Sequence, residues 1–304
     1  MPEVNSKKLP RVFISHSSVN LKIAEQVEAA LKDAGFDSWL DHSDISVGAL
    51  LGKQLQQGIK GSRAVVLIWS GAAAASRWVA AEVLSAFHLD RFIIPCALSA
   101  TGLPQFLSRS VYLDLRRGRR DALKRLGEQV KRAPRARNEF LALSSYWNKE
   151  LQEAIYHVEA MQKAELDLVD RGDLPGAKKL HAKLDVQMRA AETRWRYDPT
   201  ILNLAGYHRK NSYVLKHWDE YSAGRFPRDS VLQKGERRFI ETLFINPIDY
   251  GALNGLGNIL FFEGELDAAQ FFVGKAIDCA AKVGVNYEEA KNDLRSIRSR
   301  TLKS

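Results

Sequence analysis

Cysteine and long apolar runs are both scarce in this 304-residue sequence. The two cysteines, Cys96 and Cys279, fall in a strand-like run and a helix-like run of different predicted domains. We therefore expect two buried thiols, and neither a disulfide nor a metal site. No run approaches the roughly 18 apolar residues of a membrane span, and the N-terminus lacks the apolar core of a signal peptide. We expect a cytoplasmic protein with no membrane partner.

A glycine-rich phosphate loop is also missing after the first strand-like run. Residues 15–20 (Ser-His-Ser-Ser-Val-Asn) contain no glycine. Residues 68–70 (Ile-Trp-Ser) stand where a phosphorelay receiver would carry acidic side chains. These absences argue against a nucleotide-phosphate loop and against a receiver domain.

Acidic residues are few in one long segment. Between Arg109 and Arg137, eleven Lys and Arg residues accompany only three acidic residues, Asp114, Asp121 and Glu128. Such a run could bind nucleic acid, an anionic surface or an acidic neighbouring subunit. Because it has no interleaved aromatic residues and no nucleic-acid motif, we interpret it as a solvated helix face with a basic linker, and we do not expect nucleic acid as a partner.

Strand-like and helix-like runs alternate five times in the first 130 residues or so. The strand-like runs are residues 11–16, 36–40, 64–69, 92–96 and 111–114, with Pro95 expected to end the fourth. This alternation predicts an α/β fold: a flavodoxin-like, five-stranded parallel sheet covered by helices on both faces. Several functions share this architecture, so the fold alone does not select one.

The stretch from Ser76 to Glu82 follows the most apolar of these runs. If Ser76 caps a helix, Trp78 and Glu82 lie four residues apart on one helix face. The carboxyl ends of strands in open parallel sheets bind ligands, and this helix would begin at such an end. Two interpretations stay open at this point: a core tryptophan with a solvated glutamate, or an indole beside a functional carboxylate.

Five motifs together resemble a known family. They are residues 12–18 (Val-Phe-Ile-Ser-His-Ser-Ser), 35–41 (Gly-Phe-Asp-Ser-Trp-Leu-Asp), Ile45 with Gly48, 65–70 (Val-Val-Leu-Ile-Trp-Ser) and 76–82 (Ser-Arg-Trp-Val-Ala-Ala-Glu). In order and spacing, residues 9–132 resemble a Toll/interleukin-1 receptor (TIR) domain. That family contains adaptors, which only assemble, and enzymes that cleave the N-glycosidic bond of NAD+ to release nicotinamide. The resemblance also implies that residues 41–52 form a mobile loop that closes over the site and takes part in contacts between domains.

The resemblance implies roles for individual side chains. Enzymatic members carry a glutamate at the position of Glu82, which would be catalytic, and NAD+ would be a substrate rather than a bound cofactor. Residues matching His16, Ser17, Trp39 and Trp78 line the substrate site in those enzymes. From the residues alone, His16 could instead cap a helix or form a local hydrogen bond, and Trp39 could be a core aromatic. Ser17 departs from a basic residue of some animal enzymes, which leaves the phosphate contacts unassigned.

The second half of the chain has helical periodicity almost throughout. Pro134 and the short run 135–138 interrupt the basic segment, so we place a domain boundary between a TIR-like domain, 1–137, and a helical domain, 138–304. Residues 253–276 match the pattern of a tetratricopeptide repeat, and two further units are degenerate. We expect three helix pairs and a closing helix from Tyr287, with an irregular helical bundle as the alternative.

Together these observations predict an NAD+ hydrolase or cyclase that acts in defence or as an effector. Its TIR domain would form a homo-oligomer that completes the site, and the tetratricopeptide-like domain would bind a protein or peptide. The alternative is a non-catalytic TIR adaptor whose repeats carry the ligand. A third possibility is cleavage of another N-glycosidic substrate, such as a nucleotide or nucleic acid.

Overall fold

The computed structural model describes residues 9–40, 51–140 and 148–301. The chain divides into two compact units, Met1–Phe140 and Leu141–Ser304. Asn138 is fastened to the first unit, because its side-chain oxygen accepts from the Ile93 amide at 2.7 Å and its amide donates to the Ile93 carbonyl at 2.9 Å. Each unit has its own core.

The first unit contains a five-stranded parallel sheet with the strand order β2-β1-β3-β4-β5. The strands are β1 (Arg11–Ser15), β2 (Asp37–Leu40), β3 (Ala64–Trp69), β4 (Phe92–Ala97) and β5 (Leu113–Asp114). Every residue of β3 is buried, as expected for the central strand of a sheet that is covered on both faces. The predicted α/β class and the flavodoxin-like sheet are confirmed.

Helices cover both faces of this sheet. They are α1 (Leu21–Asp33), α2 (Leu51–Gly61), α3 (Gly71–Ala75), α4 (Arg77–His88) and α5 (Arg119–Arg132). On one face, Val12 and Ile14 of β1 and Val66 and Ile68 of β3 pack in a core with apolar residues of α1 and α5. Side chains alternate along a strand, so Phe13, Ser15, Val65 and Leu67 point to the opposite face, towards α2 and α4. That second face carries the candidate site.

Four of the five strands differ in their bounds from the predictions: β1 and β2 are each one residue shorter, and β4 and β5 differ in ways that the structure explains. Pro95 does not end β4: the strand continues to Ala97, and Pro95 is the register partner of Leu67. The β5 ladder meets β4 only at Cys96 and Ala97, so the missing N–H of Pro95 breaks no bond to β5. The predicted strand 111–114 is shortened to its last two residues because the side chain of Val111 is 94% exposed and has no core to pack against.

The second unit is all-helical in the part that the structure describes. Its helices are α6 (Lys149–Asp170), α7 (Leu174–Arg194), α8 (Pro199–Lys216), α9 (Trp218–Ser222), α10 (Ser230–Ile245), α11 (Tyr250–Phe262), α12 (Leu266–Lys282) and α13 (Glu288–Thr301). Five of them begin with a side chain that accepts a first-turn N–H: Asn148, Asp173, Asp198, Asp229 and Asp249. Within the described ranges, no helix is both long and apolar enough to cross a membrane.

The best tetratricopeptide-like match coincides with the α11–α12 pair. A Cβ atom on Gly257 would lie 2.5 Å from Cγ2 of Val273, so only glycine lets the two helices approach this closely. Gly264 adopts a φ of 87° in the turn between them. The all-helical class of this domain is confirmed, and its identity as a tetratricopeptide module stays a prediction.

Both cysteines are buried, as predicted. Burial raises the pKa of the Cys96 thiol to about 12. A thiol with such a pKa is almost wholly protonated at neutral pH, and the thiolate is the reactive form. Cys96 is therefore a packing residue of β4.

Candidate active site

Helix α4 begins where the sequence predicts it. The Ser76 hydroxyl accepts a hydrogen bond from the Val79 amide at 3.3 Å, and the helix runs from Arg77 to His88. Ser70, directly after β3, caps the short helix α3 in the same way, with its hydroxyl 3.1 Å from the Ala73 amide. These two caps turn the chain twice at the carboxyl end of β3 and place Glu82 in the second turn of α4.

Glu82 lies beneath the sheet rather than in solvent. Its side chain is completely buried, and its Oε2 accepts a hydrogen bond from the Ser15 hydroxyl at 2.5 Å. Ser15 is the last residue of β1 and is also completely buried. The bond thus joins α4 to the carboxyl end of a strand, the edge at which open parallel sheets bind ligands.

Burial of this carboxylate is costly in free energy. Its neighbours on α4 include Val79, Val83 and Ala86, all of them buried and apolar. Transfer of an ionised carboxyl group from water to such surroundings costs several kcal/mol or more unless hydrogen bonds or charges offset it. An apolar residue would pack here at lower cost, and buried carboxylates of this kind cluster at functional sites.

Trp39 lies on the same face of the sheet as Ser15. It is the register partner of Phe13, and Phe13 and Ser15 share a face because they are two residues apart. A Cβ on Gly58 of α2 would stand 3.1 Å from the indole, and the Arg11 guanidinium lies 5.5 Å from the ring centroid. Trp39 therefore packs between elements of the fold. Its indole nitrogen is buried with no hydrogen-bond partner among the described residues.

His16 and Ser17 follow Ser15 directly and are both buried. Nδ1 of His16 stands 3.5 Å from the Ile14 carbonyl, which is the local contact that the sequence leaves open for this side chain. The Ser17 carbonyl accepts from the Asn20 amide at 2.7 Å and opens a turn of 3-10 helix at Ser18–Asn20. Both residues thus lie at the carboxyl end of β1, next to the Ser15–Glu82 bond in sequence.

Trp78 is half-buried at the start of α4, one turn before Glu82. The Arg77 guanidinium lies 5.1 Å from the centroid of its indole ring. Glu82, by contrast, is fully buried, so the two side chains differ in their access to solvent. Trp78 and Trp39 are both partly exposed, whereas His16 and Ser17 are buried.

Three polar residues at this edge have no role assigned by the sequence: Ser15, Asn20 and Ser70. The Ser70 hydroxyl donates to Oδ1 of Asn20 at 2.8 Å and so ties the end of β3 to the connection after β1. The sequence signal is that two neighbouring strands, β1 and β3, both end in small polar residues. Which of these residues contact each other cannot be read from the sequence, because it depends on the register of the sheet.

The predicted mobile loop, 41–52, lies for residues 41–50 outside the described part of the chain, and its last two residues open α2. Over residues 9–40, 51–140 and 148–301, no group of three His, Cys, Asp or Glu residues could hold a metal ion. The described side chains at this edge provide a carboxylate, hydroxyl groups, an imidazole and indoles.

Comparison with known families identifies the first unit. Residues 12–128 match the TIR domain family, from the second residue of β1 to the middle of α5. A TIR domain followed by a helical region is thus the organisation of this chain. No curated protein matches the chain. TIR domains include both NAD-cleaving enzymes and adaptors.

Proposed function

We propose that the TIR domain cleaves the bond between nicotinamide and ribose in NAD+, with Glu82 as the catalytic carboxylate. The observation that carries this proposal is the complete burial of Glu82 at the carboxyl edge of the sheet, where Ser15 holds it at 2.5 Å. A carboxylate buried at a ligand-binding edge is a costly arrangement, and groups of this kind occur disproportionately at functional sites.

The reaction requires little more from the protein than one well-placed negative charge. The bond from ribose C1′ to the pyridinium nitrogen breaks, its electron pair stays on nitrogen, and nicotinamide leaves as a neutral molecule. The carboxylate of Glu82 stabilises the positive charge that develops on the ribose, as carboxylates do in glycosidases. A water oxygen then bonds to C1′ and loses a proton, which gives ADP-ribose; attack by an adenine nitrogen gives a cyclic product instead.

Two aromatic residues would hold the substrate. Trp78 offers a partly exposed indole one turn from Glu82, and stacking of a base on such a ring is worth about 1–3 kcal/mol. The buried indole N–H of Trp39 has no acceptor among the described residues, and an acceptor on the substrate would remove the cost of that unsatisfied donor. His16 and Ser17 would line the same edge after β1.

Access to Glu82 requires a change of structure. Because the side chain has no exposed surface, NAD+ contacts it only after neighbouring atoms move aside. We propose that self-association of the TIR domain drives this change, so that NAD+ cleavage follows assembly. A defence or effector role, in which assembly triggers NAD+ loss or a cyclic ADP-ribose signal, fits such gating.

The helical unit would supply the trigger for assembly of the TIR domain. The close approach of α11 and α12 at Gly257, and the left-handed turn at Gly264, support a tetratricopeptide-like module. Successive helices pack against each other from α6 to α8 and from α10 to α13, as in stacked helix pairs. We propose that this module binds a protein or peptide and thereby controls assembly of the TIR domain.

A non-catalytic adaptor is the second candidate, and the complete burial of Glu82 is also the observation that favours it. In an adaptor, Glu82 and Ser15 would only join α4 to β1. Such a protein would self-associate and capture partners without releasing nicotinamide at any concentration.

The deciding experiment measures nicotinamide release from NAD+ by the full chain, in dilute solution and with a crowding agent that promotes assembly. We expect release that rises more steeply than protein concentration. Glu82→Gln should lower it at least about 100-fold, because the developing positive charge loses its counter-charge.

A matched control is available in the same domain. Glu28 of α1 also accepts a serine hydroxyl, from Ser38 of β2 at 2.8 Å, but on the opposite face of the sheet. Glu28→Gln should leave nicotinamide release unchanged. Turnover that persists in a folded Glu82→Gln variant, or its absence from the wild type under all assembly conditions, would rule out the proposed activity.

A further inference from the structure

The Ser15 hydroxyl is held in place more firmly than a loop residue could be. Ser15 is the register partner of Leu67 in the central strand β3, and β1 is flanked by strands on both sides. Both ends of its bond to Glu82 are completely buried, and the two residues stand 67 positions apart in the chain. Rigid elements position functional groups more precisely than loops do, so the backbone that carries the Ser15 hydroxyl has a fixed place.

The Ser15 hydroxyl and the Glu82 carboxylate are placed to form a charge-assisted hydrogen bond. O–H donors to ionised carboxylates stand at about 2.5–2.7 Å and form bonds roughly twice as strong as those between neutral groups. The separation of 2.5 Å between Ser15 Oγ and Glu82 Oε2 lies in this range. Since the bond holds Oε2, it fixes the plane of the carboxylate and with it the direction of Oε1.

From this geometry we infer that Ser15 is a positioning residue for Glu82, which orients the carboxylate and favours its ionised form for reaction with the ribose. The inference rests on the NAD+ cleavage proposed above. It assigns Ser15 no contact with substrate. Its contribution appears in the reaction step and not in the binding of NAD+.

The test compares Ser15→Ala with Ser38→Ala, which removes the matched hydroxyl on the other face of the sheet. Steady-state kinetics of nicotinamide release should show kcat lowered about 10- to 100-fold by Ser15→Ala, as expected for the loss of a hydrogen bond to a charged group, with KM within about twofold of wild type. The acidic limb of the pH profile of kcat should move to higher pH, because the donor that favours the ionised carboxylate is gone. Ser38→Ala should change none of these quantities.

A second pair of variants separates positioning from packing. Ser15→Thr keeps the hydroxyl and Ser15→Val has nearly the same shape without it, so any strain from the added methyl group is common to both. We expect the Thr variant to be at least about tenfold faster than the Val variant. This comparison tests the positioning role of Ser15 even if the Ser15→Ala variant does not fold.

Each outcome bears on one of the two proposals. If the wild type releases nicotinamide and Ser15→Ala is as active as the wild type or more so, the positioning role is wrong while NAD+ cleavage stands. Equal activities of the Thr and Val variants would likewise assign Ser15 to packing alone. If the wild type releases no nicotinamide, the proposed activity itself fails, and with it the role of Ser15.

Discussion

Each of the two units contains a glutamate that is at most 1% exposed, and these two glutamates are held in different ways. Glu82 in the TIR domain is 0% exposed and Glu165 in the helical domain is 1% exposed. Glu82 accepts from the hydroxyl of Ser15 at the end of a strand. Glu165 accepts from nitrogen atoms on two neighbouring helices.

The network around Glu165 joins three helices. Its Oε2 stands 2.6 Å from Nδ1 of His181 on α7, and its Oε1 accepts from the Asn211 amide on α8 at 3.0 Å. The His181 ring stacks on His208, with centroids 4.3 Å apart, and Nε2 of His208 lies 3.1 Å from Oδ1 of Asp185. Both oxygens of Glu165 thus have partners that are themselves held, which is the form of a structural polar network.

The different hydrogen-bond partners of Glu82 and Glu165 indicate why two similarly buried glutamates have different roles. A carboxylate whose two oxygens are both bound by side chains of the surrounding helices fixes how those helices pack. A carboxylate oriented by a strand-end hydroxyl lies at the edge where a parallel sheet receives ligands. We therefore expect changes at Glu82 to affect turnover and changes at Glu165 to affect stability.

Among the variants that test this contrast, Glu165→Gln should have the largest effect. The amide cannot carry the negative charge that accepts hydrogen bonds from His181 and Asn211, and losing hydrogen bonds to a buried charged group costs about 3 kcal/mol. The melting temperature of the helical unit should fall by about 6–12 °C. The full chain, followed by calorimetry, should show this loss, with kcat for nicotinamide release unchanged below the transition.

Glu153→Gln on the same helix is the matched control, because Glu153 forms an exposed ion pair with Lys149 at 3.8 Å. Exposed pairs of this kind contribute little to stability. An equal loss from Glu153→Gln, or no loss from Glu165→Gln, would contradict the structural role of the buried network.

A smaller effect is expected from Gly257→Ala, which loosens the helical unit without touching a buried charge. The added Cβ would lie 2.5 Å from Cγ2 of Val273 and 3.2 Å from the Ala269 carbonyl oxygen, so α11 and α12 must move apart. Overpacking of this kind costs about 1–3 kcal/mol. Gly274→Ala, with open space around the new methyl group, should not be destabilising by this mechanism. Similar melting temperatures for the two variants would mean that the α11–α12 contact is not tight.

The smallest expected effect is a dependence of helical-unit stability on pH. Burial, and then the nearby His181, lowers the pKa of His208 below its usual value of 6.5, although Asp185 opposes this shift. Glu165 and Asn211 complete the surroundings of the two rings. Because the unfolded chain binds this proton more readily, the free energy of unfolding should fall as the pH is lowered through about 6.5 towards the folded pKa.

His208→Gln should flatten this dependence between about pH 5 and 7.5, measured by urea unfolding of the full chain at several pH values. His157, exposed on α6, provides the control, because folding changes its surroundings little. If His157→Gln reduces the slope of the unfolding free energy against pH as much as His208→Gln does, that slope does not originate in the stacked pair of His181 and His208.

Local patterns predicted much of the first unit. The run Ala64–Trp69 is apolar at every position and forms the central strand with those bounds. Ser76 caps α4, and Gly35 adopts a φ of 83° at the end of α1. In each case the signal lies within a few residues, where backbone preference and side-chain capping act.

Contacts between residues that are far apart in the sequence could not be predicted. The bond from Ser15 to Glu82 joins residues 67 apart and depends on strand register. In α6, the apolar residue Leu166 is 50% exposed, whereas the polar residues Gln162 and Glu165 are buried. A polar residue in a core has no periodic signature, since its partners come from other helices.

By itself the sequence determined the elements of this protein: five parallel strands with their helices, a capped helix that carries Glu82, and a second domain of helices only. Periodicity and capping are properties of short segments, so they are readable without a structure. The tertiary structure alone decided which carboxylates are buried and what holds them. Packing and strand register bring Ser15 to Glu82 and bring His181 and Asn211 to Glu165, because burial is a property of the assembled layers and not of any one segment.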